Sequence, residues 1–253
     1  KKNKKDGESI YWYKNGQKKE EGAYKEGKED GQWSWWDENG RMDSTVTYDI
    51  GKRDGKTTLW YKNGQKKEET TFRDGKMNGL AMAWHENGKK RGKIHFKNGK
   101  EDGLFTVWRE NGKKEGEGHF KNGELDGLFT TWHENGQKWW EENWKDGKLD
   151  GLWTIWFENG KKEEESHYKN GKLDGLWTIW FENGKKSSEA TYKDDVQNGK
   201  WTEWYENGQK GLEGTDKDGK SDGLWTTWYE NGQKWTEKTY KDEELISEIY
   251  WFP

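Results

Sequence analysis

The apolar and polar positions of this chain repeat with a period of 24 residues. An Asn-Gly dipeptide recurs ten times at that spacing, beginning at Asn15, Asn39, Asn63, Asn87, Asn111, Asn135, Asn159, Asn183, Asn207 and Asn231. A Trp lies three residues before each of these Asn residues, at Trp12, Trp36, Trp60, Trp84, Trp108, Trp132, Trp156, Trp180, Trp204 and Trp228. No insertion interrupts the period, which predicts ten equal structural units laid end to end.

Each unit is predicted to be one β-hairpin. In a representative unit, Leu152–Phe157 forms one strand and Lys161–Tyr168 the returning strand, joined by Asn159-Gly160. Asn-Gly between two strand-like segments favours a two-residue type I′ turn, in which both central residues have positive φ. The segment Lys169–Gly175 indicates a longer, glycine-rich connection to the next hairpin. About 20 strands spaced ~4.8 Å apart would extend on the order of 100 Å, with the usual twist.

The predicted fold is therefore all-β. It is an elongated, twisted, single-layer antiparallel meander of ten 24-residue β-hairpin repeats, in the manner of an open solenoid. The repeats are predicted to occupy residues 6–241. Residues 1–5 indicate a partial linker turn or a processed amino terminus, and residues 242–253 an apolar carboxy-terminal cap or pairing strand.

Alternation along a strand divides the side chains of each unit between two faces. Trp156 is predicted to share a face with Thr154, and a ring ladder is expected between the invariant Trp and a second recurring aromatic residue. That second series is Tyr24, Tyr48, Phe72, Phe96, Phe120, Trp144, Tyr168, Tyr192 and Tyr240, interrupted by Asp216. A single layer cannot hide both faces, and exposed apolar area usually marks an interface. The candidate interaction face is formed by Trp153, Phe157, Trp177, Phe181, Trp201, Tyr205, Trp225 and Tyr229.

Composition excludes a conventional thick core. Hydrophobic residues make up 27% of the chain and the mean hydropathy is −1.55. Such values often accompany disorder, but the aromatic fraction is 16% and includes 21 Trp. Because a buried Trp or Tyr removes roughly 150–250 Å² from water, a thin ordered sheet is predicted instead.

The charges are abundant but balanced, with 45 Lys and Arg against 49 Asp and Glu. Without a basic excess, nucleic acid and anionic membrane surfaces are not expected as partners. No apolar run reaches the ~20 residues of a membrane span, so integral membrane insertion is not expected. The chain has no Cys, which excludes disulfides and leaves the compartment open between the cell surface, the extracellular space and the cytoplasm.

The repeat resembles the MORN repeat, and more narrowly its bacterial variant. The resemblance rests on segments such as Trp201–Lys210 and Leu224–Lys234, and it extends from Asp6 to about Lys241. It implies an extended antiparallel sheet that acts as a scaffold or interaction surface. Some bacterial members are described as antitoxin-like, which implies a protein-binding antitoxin as an alternative.

No residue pattern indicates catalysis, a cofactor or a metal. The five His residues occupy two repeat positions, His85 and His133 at one and His95, His119 and His167 at the other. Equivalent residues lie two strands apart, roughly 10 Å, which is too far to share a zinc ion. A Glu recurs six residues after the Asn in eight units, at Glu21, Glu69, Glu117, Glu141, Glu165, Glu189, Glu213 and Glu237. A carboxylate repeated so often is expected to accept hydrogen bonds from turn amides or to pair with Lys rather than to form one active site.

The leading functional hypothesis is a non-catalytic scaffold that binds a protein or copies of itself, with a filament as one form of self-assembly. Open strand edges favour pairing between chains, and the carboxy-terminal residues Ile249, Tyr250, Trp251 and Phe252 are the candidates for it. The alternative from another class is a glycan-binding or cell-wall-binding repeat protein, in which periodic rings would stack on sugars.

Overall fold

The computed structural model describes residues 4–252, which form strands and turns and contain no helix in that range. The chain divides into two compact units, residues 1–124 and 125–253. The prediction of an all-β antiparallel meander of hairpin repeats is confirmed. Residues 1–3 and 253, which belong to the predicted terminal segments, lie outside the described residues.

Unit 1 is a meander in which strands that follow one another pair antiparallel. Strand β8 pairs with both β9 and β10. The strands are β1 (Gly7–Trp12), β2 (Lys18–Lys25), β3 (Lys28–Trp36), β4 (Met42–Asp49), β5 (Lys52–Trp60), β6 (Lys66–Arg73), β7 (Lys76–Trp84), β8 (Lys90–Lys97), β9 (Lys100–Glu101), β10 (Gly103–Trp108) and β11 (Lys114–Lys121). The short strand β12 (Glu124–Leu125) lies where the two units divide.

Unit 2 repeats the same arrangement. Strand β20 pairs with both β21 and β22. The strands are β13 (Gly127–Trp132), β14 (Lys138–Lys145), β15 (Lys148–Trp156), β16 (Lys162–Lys169), β17 (Lys172–Trp180), β18 (Lys186–Lys193), β19 (Val196–Trp204), β20 (Lys210–Lys217), β21 (Lys220–Ser221), β22 (Gly223–Trp228), β23 (Lys234–Lys241) and β24 (Glu244–Tyr250).

The Asn-Gly turns differ from the predicted type I′ turns. In the representative repeat, the carbonyl of Phe157 accepts a hydrogen bond from the N–H of Gly160 at 2.9 Å, which makes a four-residue turn. Gly160 has a φ of 80°, whereas Asn159 is not among the residues with positive φ. The Phe157 N–H also donates to the carbonyl of Lys161. This is a four-residue turn whose last residue is a left-handed Gly, so the prediction of a two-residue turn here is wrong.

The true two-residue turns lie in the connection that was predicted to be long. Asn170 and Gly171 have φ values of 52° and 83°, and the flanking residues Lys169 and Lys172 are paired. Positive φ at both central residues is the type I′ geometry, which matches the twist of the strands that it joins. Both connections of each repeat are therefore tight hairpins, and the predicted seven-residue linker is wrong.

A bulge beside each Asn-Gly turn sets which side chains share a face. Ile155 pairs with Glu164 but Trp156 pairs with Lys162, so Glu163 is the extra residue. Lys162 and Glu165 would point to opposite faces in a regular strand, and the bulge brings them to the same face. The predicted sharing of one face by Trp156 and Thr154 is confirmed by this register.

Candidate functional site

Each unit presents two faces with different chemistry. We call one the lysine face, defined by the positions of Thr154, Trp156, Lys162 and Glu165 and their equivalents. We call the other the aromatic face, defined by the positions of Trp153, Ile155, Glu164, Ser166 and Tyr168 and their equivalents.

The lysine face is a lattice of paired charges. Lys66 Nζ lies 2.7 Å from Glu69 Oε2 and 5.6 Å from the centre of the Trp84 ring. The hydrogen bond from Lys66 lowers the pKa of Glu69 more strongly than burial raises it. The same ion pair forms between the Lys and the Glu three residues later in seven further repeats, at Lys18–Glu21, Lys114–Glu117, Lys138–Glu141, Lys162–Glu165, Lys186–Glu189, Lys210–Glu213 and Lys234–Glu237. The expectation that the recurring Glu pairs with Lys is confirmed.

A row of buried Thr lies beneath this lattice, and the sequence predictions did not include it. Thr154 is 2% exposed and Thr106 is 3% exposed. The hydroxyl of Thr106 donates to Glu117 at 3.3 Å, and that of Thr130 donates to Glu141 at 3.2 Å. The signal was the Thr that recurs two residues before the invariant Trp, at Thr58, Thr106, Thr130, Thr154, Thr178, Thr202 and Thr226. The Thr, Glu and Lys side chains of this face form hydrogen bonds and ion pairs with one another. Few of its polar groups therefore remain free to bind a ligand.

The aromatic face packs large rings over small residues. Trp177 pairs with Ser166, which is fully buried, and Trp201 pairs with Ala190, which is also fully buried. A Cβ atom added to Gly22 would lie 2.2 Å from the Trp33 ring, so only Gly fits there. At these positions a small residue on the neighbouring strand leaves room for the indole, and at Gly22 a larger one would clash with it.

The recurring aromatic residues belong to this face and not to the face of the invariant Trp. Tyr24 contacts Trp33 at 4.9 Å between ring centres, and Tyr168 contacts Trp153 at 6.4 Å, both edge to face. Two further pairs are Tyr192 with Trp177 and Phe105 with Phe120. The predicted ladder between the invariant Trp and the recurring aromatic residue is wrong, because the bulge and the pleat place the two series on opposite faces.

Glutamates on the aromatic face accept hydrogen bonds from indole N–H groups. Trp177 Nε1 donates to Glu164 Oε1 at 2.6 Å, and Trp35 Nε1 donates to Glu20 Oε2 at 2.9 Å. Both glutamates occupy the position of Glu164 in their repeats. The aromatic face therefore combines apolar ring surface with carboxylates that accept the indole N–H groups of the protein itself.

Within each unit, hydrogen bonds at the two edges of the sheet link neighbouring repeats. Asn135 Nδ2 donates to the carbonyl of Glu158, 23 residues ahead, at 2.6 Å. Tyr61 Oη donates to the carbonyl of Trp84 at 2.8 Å, and His85 and His133 make the same contact through Nε2 to Trp108 and Trp156. These two His residues therefore replace Tyr as links between repeats. At the other edge, backbone N–H groups of the type I′ turns donate to the preceding repeat, as from Gly171 to Leu149 at 2.7 Å.

All eight residues of the predicted interaction face are half-buried. Trp153, Trp177, Trp201 and Trp225 lie on the aromatic face, and their partners Phe157, Phe181, Tyr205 and Tyr229 each form the first residue of an Asn-Gly turn. Four leucines of the lysine face form a different and more exposed apolar series, at Leu104, Leu128, Leu176 and Leu224.

The predicted carboxy-terminal pairing residues belong to or follow β24, which pairs with β23 of the same unit. Ile249, Tyr250 and Phe252 are 53%, 45% and 85% exposed. Trp251 instead lies under Lys234, whose Nζ is 5.5 Å from its ring centre, in the manner of the invariant Trp residues.

Two cavities open on the aromatic face. One of 610 Å³ in unit 1 is lined by residues that include Val46, Arg53, Thr57 and Phe72. One of 590 Å³ in unit 2 is lined by residues that include Trp225, Thr236, Tyr240 and Tyr250.

Two carboxyl groups on the aromatic face have a raised pKa. Burial raises the pKa of Glu142, an effect that the nearby indole N–H groups of Trp144 and Trp140 oppose. Burial also raises the pKa of Asp216, which replaces the recurring aromatic residue in its repeat. Within residues 4–252 no group of three or more His, Cys, Asp or Glu side chains is arranged to hold a metal ion. None of those residues belongs to a helix that could cross a membrane.

A family model described as MORN repeat variant matches ten segments of the chain, at residues 5–26, 29–49, 53–74, 77–98, 101–122, 125–148, 149–170, 173–194, 197–210 and 221–242. The chain belongs to the MORN repeat variant family. MORN repeats are generally protein-interaction scaffolds, and they are generally non-enzymatic. The aromatic and lysine faces are thus the two sides of the MORN repeats within each unit.

Two solved structures resemble the chain loosely. They are the crystal structures of TcdB2-TccC3 and of TcdB2-TccC3-Cdc42, each 10% identical in sequence, with TM-scores of 0.21 and 0.20. The similarity covers 92% of this chain but only 16% and 17% of those chains. Among curated proteins, none matches the sequence.

Proposed function

We propose that this MORN array is a non-catalytic scaffold that binds a protein partner through its aromatic face. The observation that supports this most is the location of the 610 Å³ and 590 Å³ cavities, which open among aromatic rings on that face, one in each unit. Aromatic side chains are enriched at protein interfaces because they bury large apolar areas and lose little conformational entropy.

The contrast between the two faces supports the choice of surface. On the lysine face, Lys138 is already bonded to Glu141 at 2.5 Å and lies over the Trp156 ring at 5.3 Å. A partner would have to displace these interactions and dehydrate the charges. On the aromatic face, Trp153, Trp177 and Trp201 offer ring surface that needs little dehydration, with Ile155 and Ile179 between them.

Self-assembly is a second form of this proposal, supported by the end of unit 2. All seven residues of β24 are exposed, and Ile246 is 61% exposed. An exposed strand whose backbone groups are free on one edge can pair with another chain. Ile249, Tyr250 and Phe252 would supply apolar contacts in such a pairing.

Site-specific photo-crosslinking tests the proposal. A benzophenone amino acid at Ile179 reports on the aromatic face, and the same residue at Leu176, three positions earlier in β17, reports on the lysine face. We expect discrete adducts with one partner from Ile179 and none from Leu176. Adducts from Leu176 alone would move the interface to the exposed leucines, and the absence of adducts from both positions would contradict the proposal.

Sedimentation velocity of the purified chain distinguishes the form of association. Discrete oligomers that disappear when Ile249 and Phe252 are both replaced by Ser would support self-assembly through β24. A monomer retained on insoluble polysaccharide would instead support the glycan-binding alternative.

A further inference from the structure

The row of large rings on the aromatic face is interrupted in unit 1. Trp or Phe occupies this repeat position at Trp33, Phe105, Phe129, Trp153, Trp177, Trp201 and Trp225. The same position holds Thr57 in the third repeat and Ala81 in the fourth. The strands keep their register there, since Thr70 pairs with Ala81 as Ser166 pairs with Trp177. The register at Ala81 is therefore that of a ring position, with Thr70 and Ile94 on the two neighbouring strands where Ser166 and Ala190 flank Trp177.

The missing rings leave an open groove. A cavity of 280 Å³ is lined by residues that include Ala81, Ala83, Gly92, Ile94 and Phe105. It adjoins the 610 Å³ cavity around Thr57, and the two cavities share Glu68, Thr70 and Met77 in their linings. The 610 Å³ cavity lies within the range of roughly 300–1,000 Å³ that is usual for small-molecule sites, and the 280 Å³ cavity lies just below it.

Glu68 places a carboxylate acceptor for an indole N–H in the lining of the groove. It occupies the position of Glu164, which accepts the indole N–H of Trp177, and of Glu20, which accepts that of Trp35. The residues that correspond to Trp177 and Trp35 around Glu68 are Ala81 and Ala83. The carboxylate thus remains where the other repeats place an acceptor, while both potential indole donors are absent. Its contact to Arg91 is long, 3.5 Å, and solvent-exposed, so it competes weakly.

We propose that the groove at Ala81 binds a tryptophan side chain of a partner polypeptide. This proposal rests on the proposed function and names the chemistry of the partner. The indole would lie over Ala81 and Ala83, between Thr70 and Ile94 of the neighbouring strands, and its N–H would donate to Glu68. A phenyl ring could fill the same space, but it would leave the carboxylate without that donor.

The extent of the groove favours a polypeptide over a free indole. The cavity continues from Glu68 toward Arg53 and Asp43, well beyond one ring. The Arg53 guanidinium, which carries hydrogen-bond donors, lines this cavity and lies 5.3 Å from the Phe72 ring centre. Met77 is 37% exposed between the two cavities, and its flexible thioether side chain adapts to different neighbours. A chain that flanks the bound Trp would lie over these residues.

Fluorine NMR on the full chain tests the proposal, because it observes the ligand and not the 21 Trp of the protein. The probe is a blocked heptapeptide of Gly and Ser with 5-fluorotryptophan at its centre. We expect a saturable shift of the fluorine signal, weakened by about tenfold or more in both Ala81→Trp and Glu68→Leu. The same peptide with 4-fluorophenylalanine should bind at least about fivefold more weakly than the tryptophan peptide.

Leu80→Trp is the matched control, since it adds an indole to the same strand on the opposite face. It should bind the peptide as the unmodified chain does. A signal that does not saturate, or equal affinity in the unmodified chain, Ala81→Trp and Glu68→Leu, would overturn the proposal. Peptide binding that fails while adducts from Ile179 persist would overturn the tryptophan site alone and leave the interaction face in place.

Discussion

Asn63 of one Asn-Gly turn is bonded to Glu86 of the next: its side-chain Nδ2 donates to the Glu86 carbonyl at 2.7 Å. The other side-chain atom of Asn63, Oδ1, accepts from the backbone N–H of Gln65 at 2.9 Å. The same pair of contacts occurs at Asn15, Asn87, Asn135, Asn159, Asn183 and Asn207. The side chain, and not a positive φ, explains why Asn recurs at this position.

Asn63→Asp should destabilise the array, because the variant keeps the acceptor but replaces the donor with a carboxylate that faces a carbonyl. We expect the free energy of unfolding to fall by about 1–2 kcal/mol. Asn98→Asp is the matched control, because Asn98 lies in a type I′ turn with a φ of 53°. Urea denaturation that shows equal losses for the two variants would contradict the role assigned to Asn63.

Gly160→Val should destabilise its hairpin, because Gly160 has a φ of 80° and a β-branched residue resists that conformation. The Cβ would also approach the Gln137 side-chain amide, but that flexible end can rotate away. We expect a loss of about 2 kcal/mol or more in the free energy of unfolding. Gly92→Val is the control, since Gly92 lies in β8, has no positive φ, and has only a backbone oxygen at 4.0 Å from an added Cβ. Thermal denaturation should show little change for this control, and a Gly160 variant as stable as it would refute the turn geometry.

Phe157→Tyr should stabilise the array. Tyr13, Tyr61 and Tyr205 occupy the same position, and each donates to the carbonyl of the following invariant Trp at 2.8 Å. A hydroxyl at residue 157 would reach the Trp180 carbonyl in the same way and add about 0.5–1.5 kcal/mol. The reverse change, Tyr205→Phe, should lose a similar amount. Calorimetry in which both changes act in the same direction would contradict the proposed link.

Glu142→Gln should stabilise the array at neutral pH and not at acid pH. Burial raises the pKa of Glu142 above its ordinary value, so the folded chain binds this proton more tightly than the unfolded chain. The ionised side chain therefore lowers stability once the pH rises through the folded pKa, and Gln removes that effect. The melting temperature of the variant should exceed that of the parent at about pH 7 and approach it at about pH 4.

Glu213→Gln should destabilise the array at neutral pH, which is the opposite of the effect expected for Glu142→Gln. The hydrogen bond from Lys210 lowers the pKa of Glu213, so its carboxylate stabilises the fold above its ordinary pKa, and that contribution is lost as the pH falls. This variant should melt below the parent at neutral pH, and the difference should shrink on acidification. Equal pH dependence in the Glu142 and Glu213 variants would contradict these assignments.

The period of the sequence was sufficient to predict the repeats, the hairpins and the sharing of a face by Thr154 and Trp156. It was not sufficient to distinguish the two turns, because Asn159-Gly160 and Asn170-Gly171 are the same dipeptide. They differ in the residues before them, since Phe157 closes a four-residue turn whereas Lys169 pairs directly with Lys172. The resulting bulge decides which rings meet, and for that reason the predicted ladder of the invariant Trp with Tyr168 failed.

The candidate site was predictable only in part. The row of Trp153, Trp177, Trp201 and Trp225 could be found from the sequence, since its members recur at the period of the repeat. The groove at Ala81 could not, because a missing ring has meaning only when the register shows that Thr70 lies opposite and that Glu68 retains the acceptor position. The groove was therefore found from residues that depart from the repeat, whereas the aromatic face was found from residues that recur at the period of the repeat.

The most direct test of the account compares the two faces in binding the partner crosslinked from Ile179. One variant carries Ile155→Glu and Ile179→Glu on the aromatic face, and its match carries Leu152→Glu and Leu176→Glu on the same two strands of the lysine face. Isothermal titration calorimetry with the purified partner should show an affinity at least about 100-fold weaker for the first variant and little changed for the second. Equal losses, or a loss confined to the lysine-face variant, would contradict the claim that the aromatic face is the binding surface.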